Sequence, residues 1–375
     1  MKKPELLVVL MMIITMPVWS QDDVDNQQAL GVRKISDVTP AEDPYLWLEE
    51  ITGDRALNWV RGQNKSTQDH FDSSAEFSNL REDLLKILDS DERIPFVSKS
   101  GDYFYNFWRD KDHERGIWRR TTLEEYRKND PAWEIVLDLD KLAADENENW
   151  IWSGASLLRP DYDLALISLS RGGADASVTR EFHVTTKQFV EDGFQRDEAK
   201  GGIDWINHDS VFIYTDFGEG TMTSSGYPRI VKLWRRGTLL DDAEVVYEGK
   251  PGDLYIAAWH DDSPGFERNF VQRTLAFYND ELYLRSNDGE LTRIEAPNSA
   301  DKNIFHEFLL LELRQSWDVG GNTYQAGSLL VTRLDDFMAG SRDFDVAFEP
   351  TENTSLAGFS LTKDHILINV LEDVK

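Results

Sequence analysis

The feature that most constrains this chain is a module that recurs from about Ile94 onward. It consists of a polar turn, a strand of alternating apolar residues, a loop, and a second strand carrying basic or aromatic residues. The turn-plus-strand half first reads Gly101-Asp102-Tyr103-Phe104-Tyr105-Asn106-Phe107-Trp108, then Asp161-Tyr162-Asp163-Leu164-Ala165-Leu166-Ile167-Ser168-Leu169. It returns at His208–Asp216, Asn279–Arg285, Gly327–Arg333 and Lys363–Val370, with partner strands expected over 116–121, 180–185, 229–235, 291–295 and 344–348. A half-buried strand alternates with period two, and a repeat of roughly 40–70 residues built from such strands is the signature of propeller blades. A single blade cannot bury both of its faces, so blades must stack around an axis. A β-sandwich would pack fewer strands into a shorter span.

The expected fold is therefore mainly β: a short helical segment over 43–92, then a partial β-propeller over 93–375. The repeat gives five full modules and a sixth that begins near Leu356. Its last apolar run is Ile366–Val370, shortly before Lys375. A half-present blade leaves an unpaired sheet edge, so the propeller is expected to be incomplete at its C-terminus.

The N-terminus is a different material. Met1-Lys2-Lys3 is basic, residues 6–16 are apolar except for Thr15, and Val18 and Ser20 are small residues ahead of Gln21-Asp22-Asp23. Eleven such residues are too few to span a bilayer and fit a signal peptide. Cleavage is expected after Ser20, followed by a flexible leader over 21–42 and a periplasmic or secreted destination. Two helices are expected next. One runs over 55–70 behind Asp54 as cap, and one over 79–89 behind Ser78. In the second, Leu80, Leu84, Leu85 and Leu88 form one stripe expected to face a core.

With 69 acidic against 40 basic residues, the formal net charge is -29. That field opposes phosphates and anionic headgroups, so neither nucleic acid nor membrane is an expected partner of the mature chain. The absence of cysteine removes disulfides, thiolate metal sites and a cysteine nucleophile.

The segment Asp43-Pro44-Tyr45-Leu46-Trp47-Leu48-Glu49-Glu50, followed by Ala56-Leu57, Trp59-Val60 and Asn64, resembles the opening of the prolyl oligopeptidase family of serine peptidases. The resemblance continues through Tyr103-Phe104-Tyr105, Trp118-Arg119-Arg120, Val136-Leu137-Asp138, Ser225-Gly226-Tyr227-Pro228-Arg229 and Lys232-Leu233-Trp234-Arg235-Arg236-Gly237. It implies a seven-bladed propeller that screens oligopeptides by size, and an α/β-hydrolase domain that cleaves them, preferably after proline. It also implies that the opening segment packs on that hydrolase domain, leaving Tyr45, Trp47 and Leu48 short of a partner without it.

The hydrolase chemistry needs a Gly-x-Ser-x-Gly elbow, because small residues must flank a strained strand-to-helix turn. The two Gly-x-Ser tripeptides, Gly154-Ala155-Ser156 and Gly358-Phe359-Ser360, continue to Leu158 and Thr362 rather than to glycine. No catalytic, metal or cofactor-binding residue is therefore expected here, and no cofactor. The seven histidines lack helical metal-ligand spacing, and His260-Asp261-Asp262 reads as a turn with solvated side chains. Gly172-Gly173 and Gly218-Glu219-Gly220 read as turns rather than phosphate loops.

The parent function is thus oligopeptide hydrolysis, with this chain inactive alone and a separately encoded hydrolase domain as a possible partner. Two other readings compete. One is an exported binding platform that uses the aromatic face of Tyr45 and Trp47. The other is a propeller glycosidase with Asp204 beside Trp205, or Asp318 beside Trp317, as acid–base candidates.

Overall fold

The computed structural model describes residues 39–375 other than Asp91 and Asp364. The expected signal peptide and most of the expected leader lie outside the described residues. The chain divides into two units, Met1–Leu88 and Asp89–Lys375.

In the first unit the Tyr45 amide donates to Asp43 Oδ1 at 2.8 Å, a local turn that Asp before Pro favours. A 3-10 turn over Leu46–Glu49 leads to α1 (Asp54–Asp72) and α2 (Ala75–Leu88). Trp47 meets Trp59 edge to face at 6.3 Å, and the Arg55 guanidinium lies 4.1 Å above Trp47. Both expected caps are displaced. Gly53 is the N-cap of α1 and Asp54 its first residue, where a carboxylate complements the helix dipole. Ser74, not Ser78, accepts the Phe77 amide of α2 at 3.3 Å. The leucine stripe forms on one face as expected but covers no core: Leu80 is 57% and Leu88 62% exposed. Periodicity specifies a face, not what lies over it.

The second unit is a succession of antiparallel sheets, most of them four-stranded. Blade I contains β1 (Ser98–Ser100), β2 (Tyr103–Trp108), β3 (Ile117–Thr122) and β4 (Glu134–Asp138). Blade II contains β5 (Trp150–Leu157), β6 (Leu164–Arg171), β7 (Ser177–His183) and β8 (Gln188–Phe189), with β9 (Gln195–Ala199) also paired to β7. Blade III contains β10 (Gly202–Asn207), β11 (Ser210–Tyr214), β12 (Ile230–Arg235) and β13 (Glu244–Glu248). Blade IV contains β14 (Tyr255–Asp261), β15 (Arg268–Ala276), β16 (Asn279–Arg285) and β17 (Leu291–Arg293).

In blade V, β18 (Asp301–Phe305) and β19 (Phe308–Glu312) precede an inserted hairpin, β20 (Trp317–Val319) and β21 (Asn322–Tyr324). Strands β22 (Leu329–Arg333) and β23 (Asp345–Phe348) complete that sheet. Finally, β24 (Thr354–Leu361) and β25 (Ile366–Glu372) pair as a two-stranded sheet.

Period-two alternation explains how the blades cohere, because neighbouring residues on one strand feed two different cores. On β6, Ala165, Ile167 and Leu169 join Trp118 and Trp150 between blades I and II. Leu166, between them in sequence, joins Phe194, Trp205 and Val211 toward blade III. Along β11, Val211 faces blade II while Phe212 packs with Ile256, Ala258 and Val271 of blade IV. On β15, Val271 serves that same core and Phe270 serves the next, with Leu309, Leu311 and Leu330 of blade V. Each fully buried side chain of this kind contributes about 1.5–3 kcal/mol relative to exposure.

Beyond residue 92 the strands are joined by three short α-helices, α3 (Leu123–Tyr126), α4 (Leu139–Glu146) and α5 (Leu334–Met338). The α4 helix is capped at one end by Asp138, whose carboxylate accepts the Lys141 amide at 2.9 Å, and closed at the other by left-handed Asn147. Its Leu139 and Ala143 are buried in the core between blades I and II.

Candidate functional site

The connections that follow β5, β10 and β14 converge at one end of blades II–IV and bound a cavity of about 820 Å³. The 158–163 connection is held in shape by its backbone. The Leu158 amide donates to the Leu164 carbonyl at 2.9 Å, and the Tyr162 amide to the Leu158 carbonyl at 2.9 Å. Asp163 accepts the Thr185 hydroxyl at 3.0 Å. The walls carry His183, His208 and His260 among carboxylates, including Asp161, Asp262 and Glu267, with Arg159 as the one arginine or lysine of the lining.

His260-Asp261-Asp262 is not the expected solvated turn. Strand β14 runs through Asp261, so His260 and Asp261 point to opposite sides. His260 Nδ1 lies 3.0 Å from Asn269 Oδ1, Asp261 receives Arg268 at 2.9 Å, and Asp262 lies 3.3 Å from Arg159 Nε. Only Asp262 belongs to the loop. Among the described residues, no three His, Cys, Asp or Glu side chains gather as metal ligands.

The acid–base candidates do not converge. Asp204 is half-buried on β10, and burial pushes its carboxyl up to about 6. Backbone N–H groups of Trp205 and His260 and the charge of His260 act the other way, while Asp262 adds to the rise. Trp205 is buried and donates its indole N–H to the Ser156 carbonyl at 3.0 Å, leaving no free face for a sugar ring. Asp318 lies on the inserted hairpin of blade V, accepts the Thr323 hydroxyl at 2.6 Å, and neighbours a Trp317 packed at 5.4 Å and a tilt of 58° against Phe344. Two carboxylates in different blades, each beside an engaged tryptophan, do not form a glycosidase pair.

The two Gly-x-Ser tripeptides turn out to be one structural device used twice. Gly154 in β5 and Gly358 in β24 sit at register shifts, with φ of +140° and +141°. They are β-bulge glycines, and Ser156 and Ser360 continue their strands. Gly172-Gly173 turns β6 into β7, and Gly218 and Gly220 lie between β11 and β12 with positive φ. Of the two aromatic-platform residues, Tyr45 is 61% exposed, whereas Trp47 is engaged by Trp59 and Arg55. Sequence reasoning missed Arg159, because a lone arginine before proline in a polar turn carries no periodic or spacing signal.

Five antiparallel sheets in succession, four of four strands and one of five, share alternating cores, and the connections of the middle three bound one cavity, which defines a β-propeller. The chain belongs to the prolyl oligopeptidase family: residues 23–264 match the family's N-terminal β-propeller domain. An uncharacterized peptidase of Sinorhizobium fredii is 33% identical over 89% of this chain and 47% of its own length. A prolyl endopeptidase of Elizabethkingia meningoseptica is 26% identical over 71% of this chain and 36% of its own. A solved post-proline cleaving enzyme from Rickettsia typhi is 27% identical, with a TM-score of 0.83 over 89% of this chain and 51% of that one. The chain thus spans about half the length of the curated relatives it matches most extensively.

Proposed function

We propose that these residues are the propeller portion of a prolyl oligopeptidase-like serine endopeptidase. The parent reaction is hydrolysis of oligopeptides, preferably after proline, and the propeller, seven-bladed in the complete enzyme, admits short peptides while excluding folded proteins. The serine chemistry lies in an α/β-hydrolase domain outside these 375 residues, which hydrolyse no peptide by themselves. The observation that carries the reading is the sustained likeness to peptidases across 89% of the chain. The sequence contains no Gly-x-Ser-x-Gly elbow, which supports the reading of a nucleophile carried outside these residues.

The test is direct. The pure 375-residue protein is incubated with a chromogenic substrate that reports cleavage after proline, and in parallel with a fluorophosphonate probe. No turnover above buffer and no covalent labelling are expected. Turnover that the fluorophosphonate abolishes overturns the inactivity and restores a serine nucleophile to this chain. Adding the separately produced hydrolase portion of a relative is expected to restore cleavage of short peptides but not of folded proteins.

The same reading includes export, with cleavage after Ser20 and a periplasmic or secreted mature chain. N-terminal sequencing of the protein from a periplasmic extract checks it, Gln21 being the expected first residue.

A further inference from the structure

Three side chains border both the 820 Å³ cavity and a second cavity of about 450 Å³ that lies against β1 and β5: Arg159, Tyr162 and Asp262. Two of the three belong to the rigid 158–163 connection of blade II, which reaches its neighbours in two directions. Toward blade I, the Tyr162 ring rests on Gly101 so closely that a Cβ there would sit 3.0 Å from the ring, at a φ of +59° that already favours glycine. Toward blade IV, Arg159 Nε meets Asp262 Oδ2 at 3.3 Å. The connection therefore joins blade II to blade IV without using blade III, and the ion pair stands where one cavity meets the other.

We propose that Arg159 and Asp262 form an electrostatic strap that sets access to the smaller cavity by holding the blade II and blade IV connections together. Both side chains are about half exposed, at 45% and 49%. Their attraction is therefore modest and screened by salt, and the long arginine side chain swings away without any backbone change. The backbone hydrogen bonds that shape 158–163 do not depend on the pair. What opens is the strap, and what opens it is ionic strength or a competing charge. The proposal goes beyond the peptidase reading and does not need it, since every part belongs to this chain.

The chain has no cysteine, which makes the test clean. Ala155 lines the smaller cavity from β5, and Ala155→Cys gives the protein a single thiol there. The rate of its reaction with a bulky polyethylene-glycol maleimide is divided by the rate with N-ethylmaleimide. That ratio is expected to rise about two- to five-fold on adding Asp262→Asn or Arg159→Gln, the range an exposed ion pair governs. About 1 M NaCl, where screening acts over about 3 Å, produces the same rise in the parent protein and no further rise in either variant. Exchanging the charges, Arg159→Asp with Asp262→Arg, brings the ratio back down. An equal ratio in the parent and both variants, or an undiminished salt effect in Asp262→Asn, overturns the strap. An unchanged N-ethylmaleimide rate shows that the wall itself is intact.

Discussion

The Glu181 carboxylate on β7 receives both terminal nitrogens of Arg236, which follows β12 in the next blade, at 3.0 Å each. It also accepts the Phe194 amide at 2.7 Å and is only 1% exposed, while the Arg236 guanidinium lies 4.5 Å over the Phe194 ring and donates from Nε to the His208 carbonyl at 2.9 Å. The pair is a rivet between blades II and III, buried where the strap at Arg159 is exposed. Removing one partner strands the other charge away from water, so Arg236→Met is expected to destabilise by about 3–5 kcal/mol. The double variant with Glu181→Leu is expected to recover part of that loss. Urea unfolding of the two singles and the double checks this; a double variant as unstable as the sum of its singles would rule out pairing as the cause.

Much of this architecture was legible in the sequence, and the reasons for the exceptions are physical. The alternation at Leu164–Leu169 announces a strand because successive side chains must serve opposite cores, and they do. The copies do not occupy equivalent places in their blades: the recognised turn-plus-strand half falls on the second strand of blades I–III but on the third strand, β16 or β22, of blades IV and V. Both positions follow a tight turn and are equally apolar, so pattern alone cannot separate them. The α4 helix was missed although Asp138 and Asn147 bracket it, because an eight-residue helix holds too few turns to establish a period. The cavity at one end of blades II–IV was illegible for another reason. Arg159, His208 and Asp262 come from three connections, and only the packing of blades II–IV brings them to one end.

Gly201 and Gly62 make opposite predictions. Gly201 precedes β10 with φ of +135°, and a Cβ there would fall 2.1 Å from the Tyr214 carbonyl oxygen. That oxygen is backbone in a paired strand and cannot yield, so Gly201→Ala is expected to cost about 3 kcal/mol or more from strain and collision together. Gly62 lies inside α1 with nothing within 4 Å of its missing Cβ. Gly62→Ala is expected to raise the stability of that helix by up to about 1 kcal/mol. Thermal unfolding of each variant, with far-ultraviolet circular dichroism for Gly62→Ala, distinguishes the two.

Asp204 gives the fold a pH dependence of definite sign. Burial raises its carboxyl from the ordinary 3.8 to about 6. Between those values the folded state holds a proton that the unfolded state has released, so stability falls as pH rises from about 4 to 6. The full cost, at most about 3 kcal/mol, is present at pH 7. Asp204→Asn is expected to flatten that part of the profile and to leave the protein more stable than the parent at pH 7. Urea midpoints measured across this range test it, and a variant whose profile keeps the parent's slope would assign the effect to other groups.

A net charge of -29 repels itself in the compact state. Salt screens that repulsion, with a Debye length of about 10 Å at 0.1 M and about 3 Å at 1 M. The melting temperature is therefore expected to rise between low salt and about 0.5 M NaCl, because the exposed ion pairs lost to screening are worth little individually. Differential scanning calorimetry at fixed pH reads the trend. A falling melting temperature would mean that the ion pairs outweigh the repulsion.

The leucine stripe of α2 offers the last prediction, since its exposure is at odds with its composition. Phe77, Leu80, Leu84, Leu85 and Leu88 line an apolar groove of about 540 Å³, and Leu84 and Leu85 are both more than half exposed. An apolar face of this size in water binds hydrophobic dyes and draws copies of the chain together at high concentration. Because these side chains bury little, replacing Leu84 and Leu88 with glutamine removes almost no packing, and the melting temperature of the propeller unit is expected to move by no more than about 1 °C. Dye fluorescence and concentration-dependent sedimentation are both expected to drop. If instead the double variant loses helical dichroism and unfolds several degrees earlier, the stripe is packed in solution and the face is not free.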